Sequence, residues 1–128
     1  MLQQGVMARL WLPRLPTTHW LNENDRQHWS KLNQTKTEWK YITVVAANRV
    51  NPPLPQPPML ITPVFYFSTK RRRDPVNFFP TIKPIIDQLV TLGWWADDTP
   101  EYVDYGTPRA EIQPREGVVL LFEPKELS

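Results

Sequence analysis

The sequence predicts an α+β fold, a small mixed β-sheet with two main helices packed on one face. Three observations predict it. Apolar residues alternate with period two near both ends of the chain, two stretches repeat them at helical spacing, and the order is strand, helix, strand, helix, strands. A length of 128 residues, with 41% hydrophobic and 22% charged, matches one unit able to bury a modest core. The expected organisation is therefore a single domain over residues 1–128.

Val6, Ala8, Leu10 and Leu12 alternate with Met7, Arg9 and Trp11, which predicts a first strand stopped at Pro13. Residues 13–29 carry Pro13, Pro16, His19, Asn22, Asp25 and His28 with no sustained period and are read as a long surface loop. From Ser30 to about Arg49, Leu32, Trp39, Ile42 and Ala46 share a helical face, against the β-branched run Ile42-Thr43-Val44-Val45. Residues 51–58 hold five prolines in eight positions, which fix φ and remove donors. An extended spacer follows from that, with a ligand for an SH3-type partner as the sharper alternative.

Met59 to Thr69 alternates as a second strand, and Pro63, unable to donate to a ladder, points to an edge or a bulge. Thr81 is the expected cap of a second helix with Ile82, Ile85, Ile86, Leu89 and Leu92 as its stripe, Pro84 in its first turn and Gly93 as its stop. Residues 101–106 predict a short strand. Residues 109–113 and 118–123 predict a hairpin around Pro114-Arg115-Glu116-Gly117.

The absence of cysteine excludes disulfides, thiolate zinc sites and cysteine nucleophiles, and two histidines leave little for imidazole ligation. The N-terminus lacks a basic region before an apolar run, and no apolar stretch reaches the ~18 residues of a membrane span. A cytoplasmic protein with no membrane partner is expected. A net charge of +2 puts the case for a polyanionic partner on local clustering.

That clustering is pronounced in one place. Lys70-Arg71-Arg72-Arg73 sets four cations in a row, and guanidinium groups hold phosphate oxygens in a bidentate fork. The same run can also end an edge strand and discourage aggregation. Asp74 follows directly, as a paired charge or turn former before Pro75, or as a metal ligand beside a phosphate surface. Asp97-Asp98 lies one helix length beyond, where Asp98 and Glu101 also resemble a capping box. A magnesium ion needs only one or two carboxylates plus water and substrate oxygens, so a site shared by Asp74 and Asp98 suits attack on a nucleic-acid phosphate. Lys83, four residues before Asp87, can stabilise charge on the phosphoryl group. Trp94-Trp95 cannot both face inward on an extended segment, so one is expected at the surface or an interface. His19, Asn22 and His28 read as surface polar residues, with contact to a substrate backbone as the alternative.

The ordered set Arg-Arg-Arg-Asp-x-x-Asn, Lys-x-x-x-Asp-x-Leu, Gly-x-Trp-x-Asp-Asp and Val-Asp-Tyr, from Arg71 to Tyr105, resembles the RusA family of phage and prophage Holliday-junction resolvases. The resemblance implies a homodimeric, magnesium-dependent endonuclease, with manganese as a substitute, placing symmetric nicks across a four-way DNA junction. It implies Asp74 and Asp98 as metal ligands together with Asp97, Lys83 as the catalytic lysine, Asn77, Asp87 and Asp97 as supporting residues, and Lys70 to Arg73 as the DNA-binding run. Two departures stand out. Val76 occupies the position of an expected second aspartate, and three extra residues lie between Asn77 and Lys83. Glu111, Asp104 or water would then complete the metal shell. The alternative that Val76 motivates is a junction-binding protein of the same fold without the chemistry.

Overall fold

The computed structural model describes residues 5–24 and 28–125. The start of the N-terminal stretch considered above, residues 1–4, and Asp25 of the expected loop lie outside the described residues. The strands are β1 (Ala8–Pro13), β2 (Met59–Phe67), β3 (Val103–Tyr105), β4 (Arg109–Ile112) and β5 (Gly117–Pro124), and the helices are α1 (Trp29–Ala47) and α2 (Ile82–Thr91). They form one mixed sheet in the order β1-β5-β2-β3, with β4 also paired to β2. Contacts of β1 with β5 and of β5 with β2 are antiparallel, and β3 and β4 run parallel to β2. Both helices cover one face. Ala8, Leu10 and Leu12, Ile61, Phe65 and Phe67, and Val118, Leu120 and Phe122 meet Trp39 and Ile42 of α1 and Ile82, Ile85, Ile86 and Leu89 of α2 there.

Two expectations about the sheet are corrected. The segments around Pro114 to Gly117 are no hairpin, because β2 lies between β4 and β5 and pairs with each. Tight spacing and turn residues showed that the chain reverses there, but not that another strand occupies the gap. Nor is β2 an edge strand. The Ile61 carbonyl accepts from Gly106 N–H, so Pro63, two residues on, turns its nitrogen to the same side. Pairing with β3 ends at Ile61 and pairing with β4 begins at Val64, so the missing donor falls in the break between two short strands. A central proline is tolerated where its partner strand is interrupted.

The helices depart from expectation in their details. On α1 the buried positions are Thr35, Trp39, Ile42, Thr43 and Ala47, while Leu32 and Ala46 are only half-buried. Thr43 is accommodated because its hydroxyl donates to the Trp39 carbonyl at 2.8 Å. His28 caps α1, with Nδ1 accepting from Ser30 N–H. Thr81 stands at the N-cap of α2 as expected, but its side chain makes no capping bond. Its hydroxyl donates to the Leu21 carbonyl and accepts from Leu21 N–H, both at 2.9 Å. The loop expected over the surface is thus tied into the interior, with Thr18 and Leu21 buried and Trp20 against the core. Gly93, at φ +84°, does end α2 as expected, while Leu92 points outward. The proline-rich connector is also anchored, through buried Pro55 and Leu54 packed on the core.

The chain crosses the end of β2 through Glu116. Its carboxylate accepts from Ser68 N–H at 2.8 Å and Ser68 O–H at 2.9 Å, and it pairs with Arg14 at 2.7 Å with a side chain only 16% exposed. Gly117 follows because a Cβ there would stand 2.5 Å from both the Leu12 carbonyl and the Trp11 ring. Burial pushes the Glu116 carboxyl up, but the Ser68 donors and Arg14 together outweigh it and hold the carboxyl below its ordinary 4.5. A carboxyl depressed in the folded state contributes stability that is present above pH 4.5 and lost as pH falls through the lower folded value. Glu116→Gln is expected to lower unfolding stability by about 1.5 kcal/mol at pH 7, from the charged hydrogen bonds it weakens. In urea titrations at several pH values, that difference should shrink below pH 4.5.

Candidate functional site

β2 delivers the chain to the basic run, and Arg73 fixes how the run leaves the sheet. Its guanidinium sits 4.2 Å from the centre of the Phe67 ring and donates to the Thr69 carbonyl at 3.0 Å and Thr69 Oγ1 at 2.8 Å. Arg71 N–H also returns to the Thr69 carbonyl. These contacts curl the segment and leave the Arg71 and Arg72 side chains exposed. The four cations therefore divide into one structural arginine, two free ones, and Lys70, which is exposed but does not line the cleft described next.

The loop held by Thr81 forms the opposite wall. Glu23 N–H donates to the Asn77 carbonyl at 2.8 Å, and the two segments enclose a cleft of about 440 Å³. Arg71, Arg72, Arg73, Asp74 and Asn77 line one side, and His19, Asn22 and Asn24 face them. Asp74 Oδ1 accepts from Val76 N–H at 3.2 Å and starts the 3-10 helix Pro75–Thr81, which runs straight into α2. The geometry gathers His19 and Asn22 with the basic run, whereas His28 serves as the α1 cap.

A second cluster stands on the first turn of α2. Lys83 Nζ lies 2.9 Å from Asp98 Oδ2 and 3.5 Å from Asp87 Oδ1, and Asp98 N–H donates to Asp97 Oδ1 at 2.7 Å. Gly93 permits this, since its left-handed turn ends α2 and returns the chain toward the start of the helix. Trp94 and Trp95 secure the return by packing on Phe122. Neither is fully exposed, contrary to the expectation for an extended pair. The exposed tryptophan is Trp29, at 68%. The capping-box reading of Asp98 and Glu101 also fails, because Asp98 bonds Lys83 and the chain turns at Thr99 without a helix.

The electrostatics follow from that pairing. The hydrogen bond that Lys83 donates to Asp98 raises its ammonium above the ordinary 10.5 despite partial desolvation, and Asp87 adds to the rise. The same bond holds the Asp98 carboxyl below its ordinary 3.8. Tyr105, packed edge-on against Phe79 at 5.0 Å, is pushed up to about 12 by burial first and by the Asp98 charge second. Near neutral pH the cluster is a lysine cation between carboxylates, beside a neutral phenol. Tyr105 was visible in the sequence only as the end of a motif.

Lys83, Asp87, Asp97 and Asp98 thus come together, as do Arg71, Arg72, Arg73, Asp74 and Asn77. No hydrogen bond or ion pair joins Asp74 to Lys83 or Asp98. Asp104 pairs with Lys125 at 3.2 Å and Glu111 accepts from Gln113, so neither bonds to either group. Among the described residues no group of three or more histidine or carboxylate side chains is placed to hold a metal ion. No family model matches the chain, and no curated protein matches it.

The division among the arginines yields a prediction. Arg73→Ala should lower stability in urea unfolding by about 1–2 kcal/mol through its lost ring and carbonyl contacts. Arg71→Ala and Arg72→Ala should change stability by less than about 0.5 kcal/mol. If the cleft binds DNA, each should instead weaken duplex binding and reduce the salt slope by about one, read by fluorescence anisotropy.

Proposed function

We propose that the chain is a metal-assisted endodeoxyribonuclease that resolves four-way DNA junctions by paired symmetric nicks, in DNA recombination and repair. The reading rests chiefly on the 2.9 Å Lys83–Asp98 ion pair, which joins residues 15 apart and draws a lysine and three carboxylates into one exposed cluster. One short 3-10 helix separates that cluster along the chain from the arginine cleft. Arg71 and Arg72 hold backbone phosphates, so the DNA is bound through shape and charge with little sequence information. Lys83, held cationic, stabilises negative charge on the phosphate and on the departing oxygen.

The donor set fits a hard, oxygen-seeking ion in an open form. Asp98 and the adjacent Asp97 are solvent-accessible carboxylates that would hold a Mg2+ or Mn2+ ion, with water and phosphate oxygens supplying its other ligands. When bound, such an ion supplies Lewis-acid stabilisation and an activated water. Asp74, beside the arginines, orients the strand through the cleft. A four-way junction has approximate two-fold symmetry, so paired cuts require two equivalent sites and hence a homodimer. No helix among the described residues is long and apolar enough to cross a membrane. The proposed substrate would be met in the cytoplasm of a bacterium or a phage-infected host cell.

One observation favours a second reading, a junction-binding protein without chemistry. Val76 exposes an apolar side chain where the motif expects a carboxylate, and Asp98 is already engaged by Lys83. A labelled four-way junction with magnesium separates the two. Wild type should give paired nicks, and Asp98→Asn and Lys83→Ala should cut at least ~100-fold more slowly while still binding. Salt-sensitive binding without cleavage by wild type selects the second reading, and absence of both binding and cleavage removes the two together.

A further inference from the structure

A cavity larger than the arginine cleft lies away from it and shares no residue with it. It has a volume of about 680 Å³ and runs between β1 and the C-terminal half of α1. Leu10, Ile42, Val45, Ala46 and Val50 make an aliphatic floor. A second hollow of about 490 Å³ continues it around Trp11 onto the sheet face that carries no helix. Exposed Arg9 and Arg115 line both hollows, exposed Arg49 lines the first, and no carboxylate of the described residues lines either. β1 is also the terminal strand, so its outer edge has no strand partner among the described residues.

We infer that this groove is a docking site for an acidic, partly apolar peptide segment of a partner protein, bound extended along the outer edge of β1. The charge pattern selects the occupant. A second copy of the chain related by a two-fold axis through the groove would set Arg9, Arg49 and Arg115 against the same cationic lining of its partner, with no carboxylate among the described lining residues to relieve them. Single-stranded DNA would satisfy the arginines, but it binds by stacking bases on open aromatic faces. The floor here is aliphatic, Tyr41 is a single exposed ring beside it and not a succession of stacking platforms, and the Trp11 ring is already flanked by Tyr66 at 5.3 Å and Arg115 at 5.9 Å. A segment alternating acidic and apolar side chains meets all three demands. Its apolar residues fill the floor, its carboxylates reach the arginine rim, and its backbone extends the sheet.

The test uses the whole protein and a fluorescein-labelled peptide alternating phenylalanine or leucine with aspartate. Anisotropy should show saturable binding that weakens with salt and falls at least ~10-fold in the double variant Arg9→Glu, Arg115→Glu. Val50→Asp should weaken it as well, while Arg71→Ala with Arg72→Ala should leave it unchanged. Amide exchange in wild type should slow within β1 when the peptide is added, a readout that needs no variant to fold. Equal binding of the peptide with lysine in place of aspartate overturns the inference, and so does displacement by oligothymidylate. Self-association of the free protein that Val50→Asp abolishes would assign the groove to a second copy and overturn it equally.

Discussion

The buried hydroxyl of Thr81 holds the arrangement of the site together. It is fully inaccessible and makes two hydrogen bonds to the backbone of Leu21, sixty residues earlier in the chain. A hydroxyl is one of the few side chains able to donate and accept at one atom, so a single residue satisfies both polar groups of a loop residue in an apolar setting. The cleft wall carrying His19, Asn22 and Asn24 has no strand or helix of its own and is held by that bond pair together with the bonds of Trp39 Nε1–H to the His19 carbonyl and of Glu23 N–H to the Asn77 carbonyl. The same residue joins the 3-10 helix to α2, so the bonds that position the wall also fix where the Lys83 turn begins.

Charge is distributed by partner and not by sum. Of fifteen lysines and arginines, Arg14 is used to hold Glu116, Arg73 to hold the exit from β2, and Lys83 to neutralise Asp98. Arg71 and Arg72 are left to the cleft. A net charge of +2 therefore understates the local field, since paired cations contribute little beyond a Debye length of roughly 8–10 Å. The carboxylates of the α2 cluster would repel a phosphate if uncompensated. The lysine between them is what makes the approach of a polyanion reasonable, and a divalent ion would add to that.

Much of the fold was legible because its cues are local. Period two in β1, β2 and β5, the stripe Ile82, Ile85, Ile86, Leu89, and Gly93 after it each depend only on neighbours in sequence. What was not legible depends on distant partners. Pro63 could be placed only by knowing where β3 stops and β4 starts, and the supposed hairpin only by knowing that β2 enters between its arms. Glu116 read as one residue of a turn because nothing nearby announces Ser68 and Arg14. For the site, residue types in order marked Lys83, Asp87, Asp97 and Asp98 as a set, and the geometry unites them. The same order suggested that Asp74 would share their ion, and here it takes Val76 N–H within the arginine group. Trp20, Asn24 and Tyr105 carried no signal of their own.

The molecule thus presents two basic concavities of different chemical character, and the contrast bears on selectivity. The arginine cleft mixes cations with Asp74, Asn77 and Asn22, so a bound strand meets both attraction and a carboxylate that penalises misplaced phosphates. The groove beside β1 has cations over aliphatic carbon and nothing to reject an apolar group. A nucleic-acid backbone gains most in the first, where polar partners replace its hydration, and least in the second, where the floor offers no hydrogen bonds. An acidic peptide with apolar side chains has the opposite preference. Two ligands that are both polyanions at a distance are therefore sorted at contact by what lies beneath the arginines.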